Sequence, residues 1–519
     1  MLYNVTGVMG VLARVYSCTT VGMDPHLIEV EVDVSAGLPC LEIVGLPDTT
    51  VRESKERVRT AIKNSGFEFP PRRIIVNLAP ADIKKEGPGF DLPIAVGILA
   101  ATRQLKAVSL EKHVLVGELS LGGRLRPVAG ILPMALYLAE QSNKAFVIPV
   151  NNSGEAALTP LDTYVFATLA EVKDFLEGEG SYKPLEKISL SDYLQNLPSA
   201  GPDFSEVKGQ NMAKRALEVA AAGGHNILLI GAPGSGKSML ARCLPSILPP
   251  LTIEEALEVS KIYSIAGLLT KEMPLVTARP FRSPHHSSSL ASLIGGGQIP
   301  RPGEITLSTH GVLFLDELPE YRREVLESLR QPMEDRVVTI SRVTSAMTYP
   351  ARFQLVGAAN PCYCGYFGDP TKECTCTPYQ VNKYRSKLSG PLLDRIDIHL
   401  EIPRVAFQEL NSDRPEESSV LIRERVVRAR QRQLERFDGS GITCNAFMKA
   451  KDIRKYCAVR GEARKLLQGA FQSLGLSARA HDRILKIART IADLEGNEEI
   501  TAEHVAEAVR YRSFDRVVV

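Results

Sequence analysis

Gly231, Ala232, Pro233, Gly234, Ser235, Gly236, Lys237 and Ser238 follow one another in the order G-x-x-x-x-G-K-S, a spelling suited to holding phosphates. Glycines let backbone N–H groups turn inward and wrap an anion. The start of the helix that follows adds a partial positive charge. Lys237 is placed to reach the β- and γ-phosphates of ATP, and the Ser238 hydroxyl to hold Mg²⁺. An ordinary Gly-rich turn is the alternative. Against it, the run follows the apolar strand pattern Ile227–Ile230 and opens the helical stretch Met239–Leu244. Further along, Val312-Leu-Phe-Leu-Asp316-Glu317 delivers two carboxylates at the end of a buried strand pattern, where ligands bind in parallel sheets. Asp316 is expected to contact Mg²⁺ through water, and Glu317 to orient and polarise the attacking water. Alone, this stretch would read as a strand ending in a solvated acidic turn. After a phosphate loop it reads as the second half of an ATP-hydrolysing site.

Other chemistry-bearing residues lie close by. Cys362-Tyr-Cys364 and Cys374-Thr-Cys376 are separated by nine residues that include Gly365, Gly368 and Pro370. Four thiolates gathered by such a loop suit a structural, tetrahedral Zn²⁺ site. Reduced, unliganded cysteines in an exposed loop are the other reading. His285 and His286 have no carboxylate or cysteine at ligand spacing, and read as loop histidines near a subunit boundary. The run Arg336–Tyr349 reads as a β-hairpin with Arg342 at its tip. A basic tip residue there either tracks DNA phosphates, each contact being salt-dependent, or is simply solvated.

The elements that must position these residues fall into an α/β plan. At 519 residues, the chain is long enough for roughly two to four domains. With 24% charged and 44% hydrophobic residues and no apolar run of the ~18 needed for a span, it reads as soluble and not membrane-bound. The opening residues lack a signal-peptide pattern and read as strand, so the expected compartment is the cytoplasm. The scattered Cys18, Cys40, Cys243, Cys444 and Cys457 agree with that. A net charge of +2 leaves any nucleic-acid affinity to local basic patches. Residues 1–180 alternate strands (Ile28–Val34, Leu41–Val44, Ile74–Leu78) and helices (Val51–Asn64, Leu92–Ala101). Residues 181–202 read as a linker. Residues 203–403 alternate buried strands with helices, which predicts a parallel sheet. Residues 404–519 are helical. There, Leu421–Phe437 carries six arginines against two glutamates, read as a solvated face before a third DNA contact. Ile484, Ile487, Ala488, Ile491 and Leu494 share one helix face, and Thr501 is placed to cap the last helix.

With Ala359-Asn360-Pro361 after a third strand and Ser389-Gly-Pro-Leu-Leu-Asp-Arg395-Ile-Asp397, the motifs resemble the AAA+ ATPases of the magnesium-chelatase-like group. The chain as a whole resembles the ComM/YifB family. The resemblance implies a sensor at Asn360, an arginine finger at Arg395 reaching a neighbouring subunit's site, and γ-phosphate contact by Arg479 at the start of a C-terminal helical lid. Without it, Arg395 would read as an ion-pair partner of Asp394 or Asp397. An arginine acting in trans implies a homo-oligomeric ring, a hexamer in related proteins. The hairpin before Asn360 resembles one that points into the pore in this clade, and Ser283–Gly297 resembles its helix-2 insert, with a Gly triplet suited to a pore loop. The stretch Val44–Ala100 and the run Gly117–Pro127 resemble the Lon-type Ser/Lys protease domain, of S5-type α/β fold. Gly89 and Leu132 stand where active members carry the nucleophile and the base, so no peptidase activity is expected. The function implied is an ATP-driven motor on single-stranded or branched DNA, a branch-migration helicase in recombination during natural transformation. The competing reading is a chelatase-like motor that remodels a protein partner.

Overall fold

In the segment Asp24–Ser35 every second residue from Ile28 to Val34 is apolar and buried. Side chains alternate across a strand, so such a run buries one face and leaves the other polar. The computed structural model, which describes residues 12–106, 110–190, 193, 201–297, 301–341, 346–410, 415–474 and 476–512, pairs this strand antiparallel with Ala13–Val21 and with Arg73–Ala79. The strand reading of the opening residues therefore lies largely outside the described residues. The sheet has seven strands, in the order Cys40–Val44, Arg73–Ala79, Asp24–Ser35, Ala13–Val21, His113–Leu115, Ala145–Pro149 and Thr163–Phe166. Helices Thr49–Asn64 and Asp91–Ala101 pack with it, and the second is buried along nearly its whole length.

The second sheet has five parallel strands, in the order Phe281–Arg282, Val312–Leu315, Gln354–Ala359, Ile227–Ile230 and Ile398–Glu401. Its central strands are buried throughout, and apolar but for Gln354, because both faces are covered. Parallel pairing gathers all the strand C-termini at one edge, where Gly231, Asp316 and Asn360 follow their strands. Asn226 and Asp397 mark the opposite edge, where the Asp397 N–H donates to the Asn226 carbonyl at 3.1 Å.

The C-terminal helices share one core with the ATPase helices: Leu217, Leu244, Val426, Ile484 and Val505 belong to a single buried cluster. Buried His225 reinforces the junction, with Nδ1 3.1 Å from Asp397 and Nε2 2.8 Å from Thr490 of helix Ala478–Glu495. Thr501 caps helix Ala502–Arg510 as expected. The Arg-rich helix, Ser419–Arg436, differs from its reading as a solvated face. Five of its six arginines bond to residues outside the helix: Arg423 to the Ser246 carbonyl, Arg425 to Glu218 and Glu417, Arg430 to the Ala221 carbonyl, and Arg432 and Arg436 to Asp493, while Arg428 donates to the Glu424 carbonyl of its own helix. The guanidinium groups satisfy helix-end carbonyls and buried carboxylates, so the helix is a strut between core and lid.

Candidate active site

The phosphate loop has the backbone its glycines permit. Gly234 and Gly236 adopt φ of +79° and +89°, a region side chains rarely enter. At Gly231 a Cβ would lie 2.4 Å from the Ile402 carbonyl oxygen. Lys237 opens the helix Lys237–Ile247, and its Nζ donates to Gly231 O at 2.7 Å, Ala232 O at 3.0 Å and Asn360 Oδ1 at 3.3 Å. All three acceptors are neutral, and burial lowers the lysine's pKa. A buried ammonium held only by neutral oxygens is suited to receive an anion. The buried Ser235 hydroxyl has no partner among the described residues. Ser238 Oγ donates to Asp316 Oδ2 at 2.7 Å. A hydroxyl and a carboxylate converging in this way form a hard-oxygen pair of the kind Mg²⁺ takes. Asp316 Oδ1 accepts the Glu317 N–H at 2.9 Å. Glu317 itself has φ of +50°, unusual for a residue with a side chain. Its Oε2 lies 3.2 Å from His286 Nδ1. Lys237, Ser238, Asp316, Glu317 and Asn360 thus lie together at one sheet edge.

Arg395 and Arg479 lie at the other edge. The Arg395 guanidinium pairs with Glu334 at 2.6 Å and donates to the Pro391 carbonyl at 2.6 Å. It pairs with neither of its sequence neighbours: Asp397 takes Arg483 at 2.7 Å and His225 instead. Burial works to raise the Asp397 pKa, but the Arg483 charge and the bond to His225 outweigh it and hold the carboxyl well below the usual range. Arg479 is exposed, 3.8 Å from Asp394. Both arginines line a cavity of about 390 Å³ between core and lid, with Asn226, Arg336, Arg483 and Lys486. Asn226 precedes, and Gly231 follows, the four-residue strand Ile227–Ile230. At about 3.3 Å per residue, both arginines stand a strand's length from their own phosphate loop.

Of the remaining candidates, Cys362, Cys364, Cys374 and Cys376 come together, with all four sulfurs within 4.8 Å of one another. The separations Cys362–Cys364, Cys364–Cys374 and Cys362–Cys374 are 3.3, 3.5 and 3.7 Å, near the about 3.8 Å between sulfurs in a tetrahedral zinc site. This donor set fits a thiophilic ion. The cysteine loop also rests on the phosphate loop: a Cβ at Gly365 would lie 2.6 Å from Pro233 Cδ. The hairpin forms from Val337–Ser341 and Ala346–Pro350, paired antiparallel, while Arg342 lies outside the described residues. In the N-terminal domain, Gly89 faces Val116 and Val128, and Leu132 is buried with Leu158, Leu251, Ala256 and Leu275. Beside Gly89, a cavity of about 170 Å³ is closed by Ile265, Arg301 and Met347 of the ATPase core. Sequence reasoning read His286 as a loop histidine near a subunit boundary and missed its approach to Glu317, which joins two strands and has no local signature.

Comparison with known proteins extends over nearly the whole chain. Residues 203–410 match the family model of magnesium chelatase, subunit ChlI. Residues 30–152 match that of subunit ChlI of Mg-chelatase, and 416–512 that of the ChlI C-terminal region. The YifB protein of Escherichia coli is 45% identical over 511 residues, covering 98% of each chain. The competence protein ComM of Haemophilus influenzae is 44% identical over 512 residues, again 98% of each. Lon protease 2 of Bacillus subtilis is 27% identical over 153 residues, 26% of this chain and 27% of its own length.

Proposed function

The chain belongs to the ComM/YifB family of magnesium-chelatase-like AAA+ ATPases, and we propose that it assembles into a ring, a hexamer, whose subunits hydrolyse ATP to move on single-stranded or branched DNA. The observation that carries the ring is the separation of Arg395 and Arg479 from their own phosphate loop. Neither arginine can serve its own site without crossing the sheet, whereas a neighbour's site comes within reach in a ring. Lys237 and the loop N–H groups bind the phosphates of ATP, and Glu317 turns the attacking water. Asn360, within 3.3 Å of Lys237, holds that water or the γ-phosphate. Ser238 and Asp316 would hold Mg²⁺, which would supply charge neutralisation on the phosphate oxygens. Arg395 and Arg479 of the neighbour stabilise charge in the transition state.

Likeness to a competence protein supports DNA as the track, and branch migration during recombination of incoming DNA as the task. The hairpin strands Val337–Ser341 and Ala346–Pro350, together with Arg342, which the sequence puts between them, are the proposed DNA contact. Zn²⁺ on the four cysteines is the proposed structural metal, and the N-terminal domain serves without peptidase chemistry. A second reading, a motor that remodels a protein partner, draws on the matches to chelatase subunit models along the chain.

One set of rates decides between them: ATP hydrolysis with no DNA, single strands, duplex and a four-way junction, with Lys237→Ala as the blank. Stimulation strongest with single-stranded or branched forms is expected. A DNA-indifferent rate would remove the DNA motor and leave the remodelling ATPase. Added unfolded protein should stay intact with ATP present; its ATP-dependent degradation would overturn the inert N-terminal domain.

A further inference from the structure

We propose that a second cavity between the ATPase core and the C-terminal helices, of about 300 Å³, binds a small free oxyanion of the phosphate class. It shares Arg336 and Arg352 with the cavity described above, but neither Arg395 nor Arg479 lines it. Four arginines do: Arg279, Arg336 and Arg352 from the core, and Arg430 from the helix Ser419–Arg436. Strand order gathers the first three. The parallel strands begin at this edge, and Arg279 shortly precedes Phe281–Arg282 as Arg352 precedes Gln354–Ala359. Arg336 stands just before the hairpin strand Val337–Ser341.

The carboxylates at hand do not balance these charges. Two line the cavity, Glu255 and Asp335. Glu255 is already shared between Arg279 at 2.8 Å and His310 at 3.3 Å. Asp335 is exposed, so water and salt screen it. Arg352 pairs at 3.3 Å with Glu258, which lies off the cavity wall. Arg336 and Arg430 remain. Both are half-buried, and among the described residues neither forms an ion pair. Arg336 lays its guanidinium on the Phe447 ring, with Cζ 3.3 Å from the centroid. Arg430 gives one Nη to the Ala221 carbonyl at 2.8 Å, and its Nε is buried with no hydrogen-bond partner. A guanidinium keeps its charge in such a place, and a charge withdrawn from water calls for a counter-charge. Its N–H groups form a planar fork that matches phosphate oxygens. Phe447 covers a face of Arg336, whereas the donors lie in the guanidinium plane and stay available. The volume is at the small end for ligand pockets, which suits a free phosphate or diphosphate. An anion held there fastens Arg430 of the C-terminal helices to Arg336 of the core.

The test uses the full chain carrying Lys237→Ala, which disables the phosphate loop, and labelled inorganic phosphate in equilibrium dialysis at constant ionic strength. About one phosphate per chain should bind, and the thermal midpoint should rise as phosphate replaces chloride. Adding Arg336→Gln or Arg430→Gln should weaken binding about tenfold or more and remove the gain in midpoint. Adding Arg428→Gln, on the exposed side of the same helix as Arg430, should change neither. The two arginines lie on different elements, so a folding failure in one variant leaves the other to decide. No binding to the Lys237→Ala chain would overturn the site, as would binding that survives both substitutions. Competitors identify the source of the anion. Pyrophosphate displacing the label at lower concentration than phosphate marks a diphosphate-bearing small molecule, and the reverse marks phosphate itself. Displacement by single-stranded DNA would instead give these arginines to a nucleic-acid backbone and overturn the free anion. Binding is read without ATP, so the result stands apart from the motor reading.

Discussion

His310 sits between two carboxylates, with Nε2 2.6 Å from Glu258 and Nδ1 3.3 Å from Glu255. Burial disfavours the charged ring, but the bonds to Glu255 and Glu258 outweigh it and raise the pKa above 6.5. A raised histidine stabilises the fold fully below its unfolded value, and that contribution is lost as pH rises through the folded value. Glu255 runs the other way. Burial pushes its pKa up, but His310 and Arg279 pull it down to about 2, so its contribution holds above about 4.5 and is lost toward pH 2. Unfolding midpoints should therefore fall as pH is raised above 6.5. His310→Asn should flatten that alkaline limb and cost about 1–3 kcal/mol at pH 6 by removing the partner that Glu255 and Glu258 share; an alkaline limb of the same slope in the variant would assign it to other groups. The sequence says little about such residues. Lys237, Ser238, Asp316 and Glu317 were legible because each sits in a contiguous run whose spelling states its chemistry. His286 was not, because its partner lies one strand over and only the strand order joins them. Arg395 misleads for the same reason: Asp394 and Asp397 are near in sequence, yet its carboxylate partner is Glu334 on another element.

The cysteine loop shows what an element can do that its residues alone do not suggest. It leaves the strand Gln354–Ala359 through Asn360, gathers four sulfurs, and presses Gly365 on Pro233. Gly365 has φ of +83°, so a side chain there meets both a strained backbone and the proline ring. Under the zinc reading, the metal holds the wall against which the phosphate loop is set. Gly365→Val should then weaken nucleotide binding about tenfold or more, at a strain of about 1–3 kcal/mol. Removing metal with a chelator should weaken it in the same direction and lower the thermal midpoint. Fluorescent-nucleotide titration before and after chelation, with metal content measured alongside, checks both. Binding indifferent to chelation would leave the cysteines as unliganded thiols. Most elements were legible from period alone, because apolar alternation and apolar helix faces follow from burial. The Arg-rich helix Ser419–Arg436 was not: composition gives six arginines, but only packing decides that five of them turn to carbonyls and carboxylates beyond their own helix.

At the scale of the whole molecule, the N-terminal domain is seated on the ATPase. Gly130 N donates to Ser264 O at 3.0 Å, and Ser264 Oγ donates to buried Glu155. Leu132 joins the apolar contact with Leu251, Ala256 and Leu275. It is thus part of a domain joint, a use that no local pattern in the sequence announces. The same scale governs the proposed ATP site, whose phosphate loop and arginines lie at opposite edges of one sheet. If the halves meet only between subunits, two dead variants should rescue each other. Lys237→Ala retains its arginines and lacks a phosphate-binding lysine. Arg395→Ala retains its phosphate loop and lacks the finger for its neighbour. Each alone should hydrolyse ATP at least about a hundredfold more slowly than the unaltered protein. Co-assembled in equal amounts and random order, an intact phosphate loop meets an intact Arg395 at about one interface in four. Activity should then return to about a quarter of the unaltered rate. An arginine that served its own subunit's site would give no recovery at any mixing ratio, because every subunit would still lack one of its own two groups. The recovered rate therefore separates a shared site from a self-sufficient one without a structure of the ring.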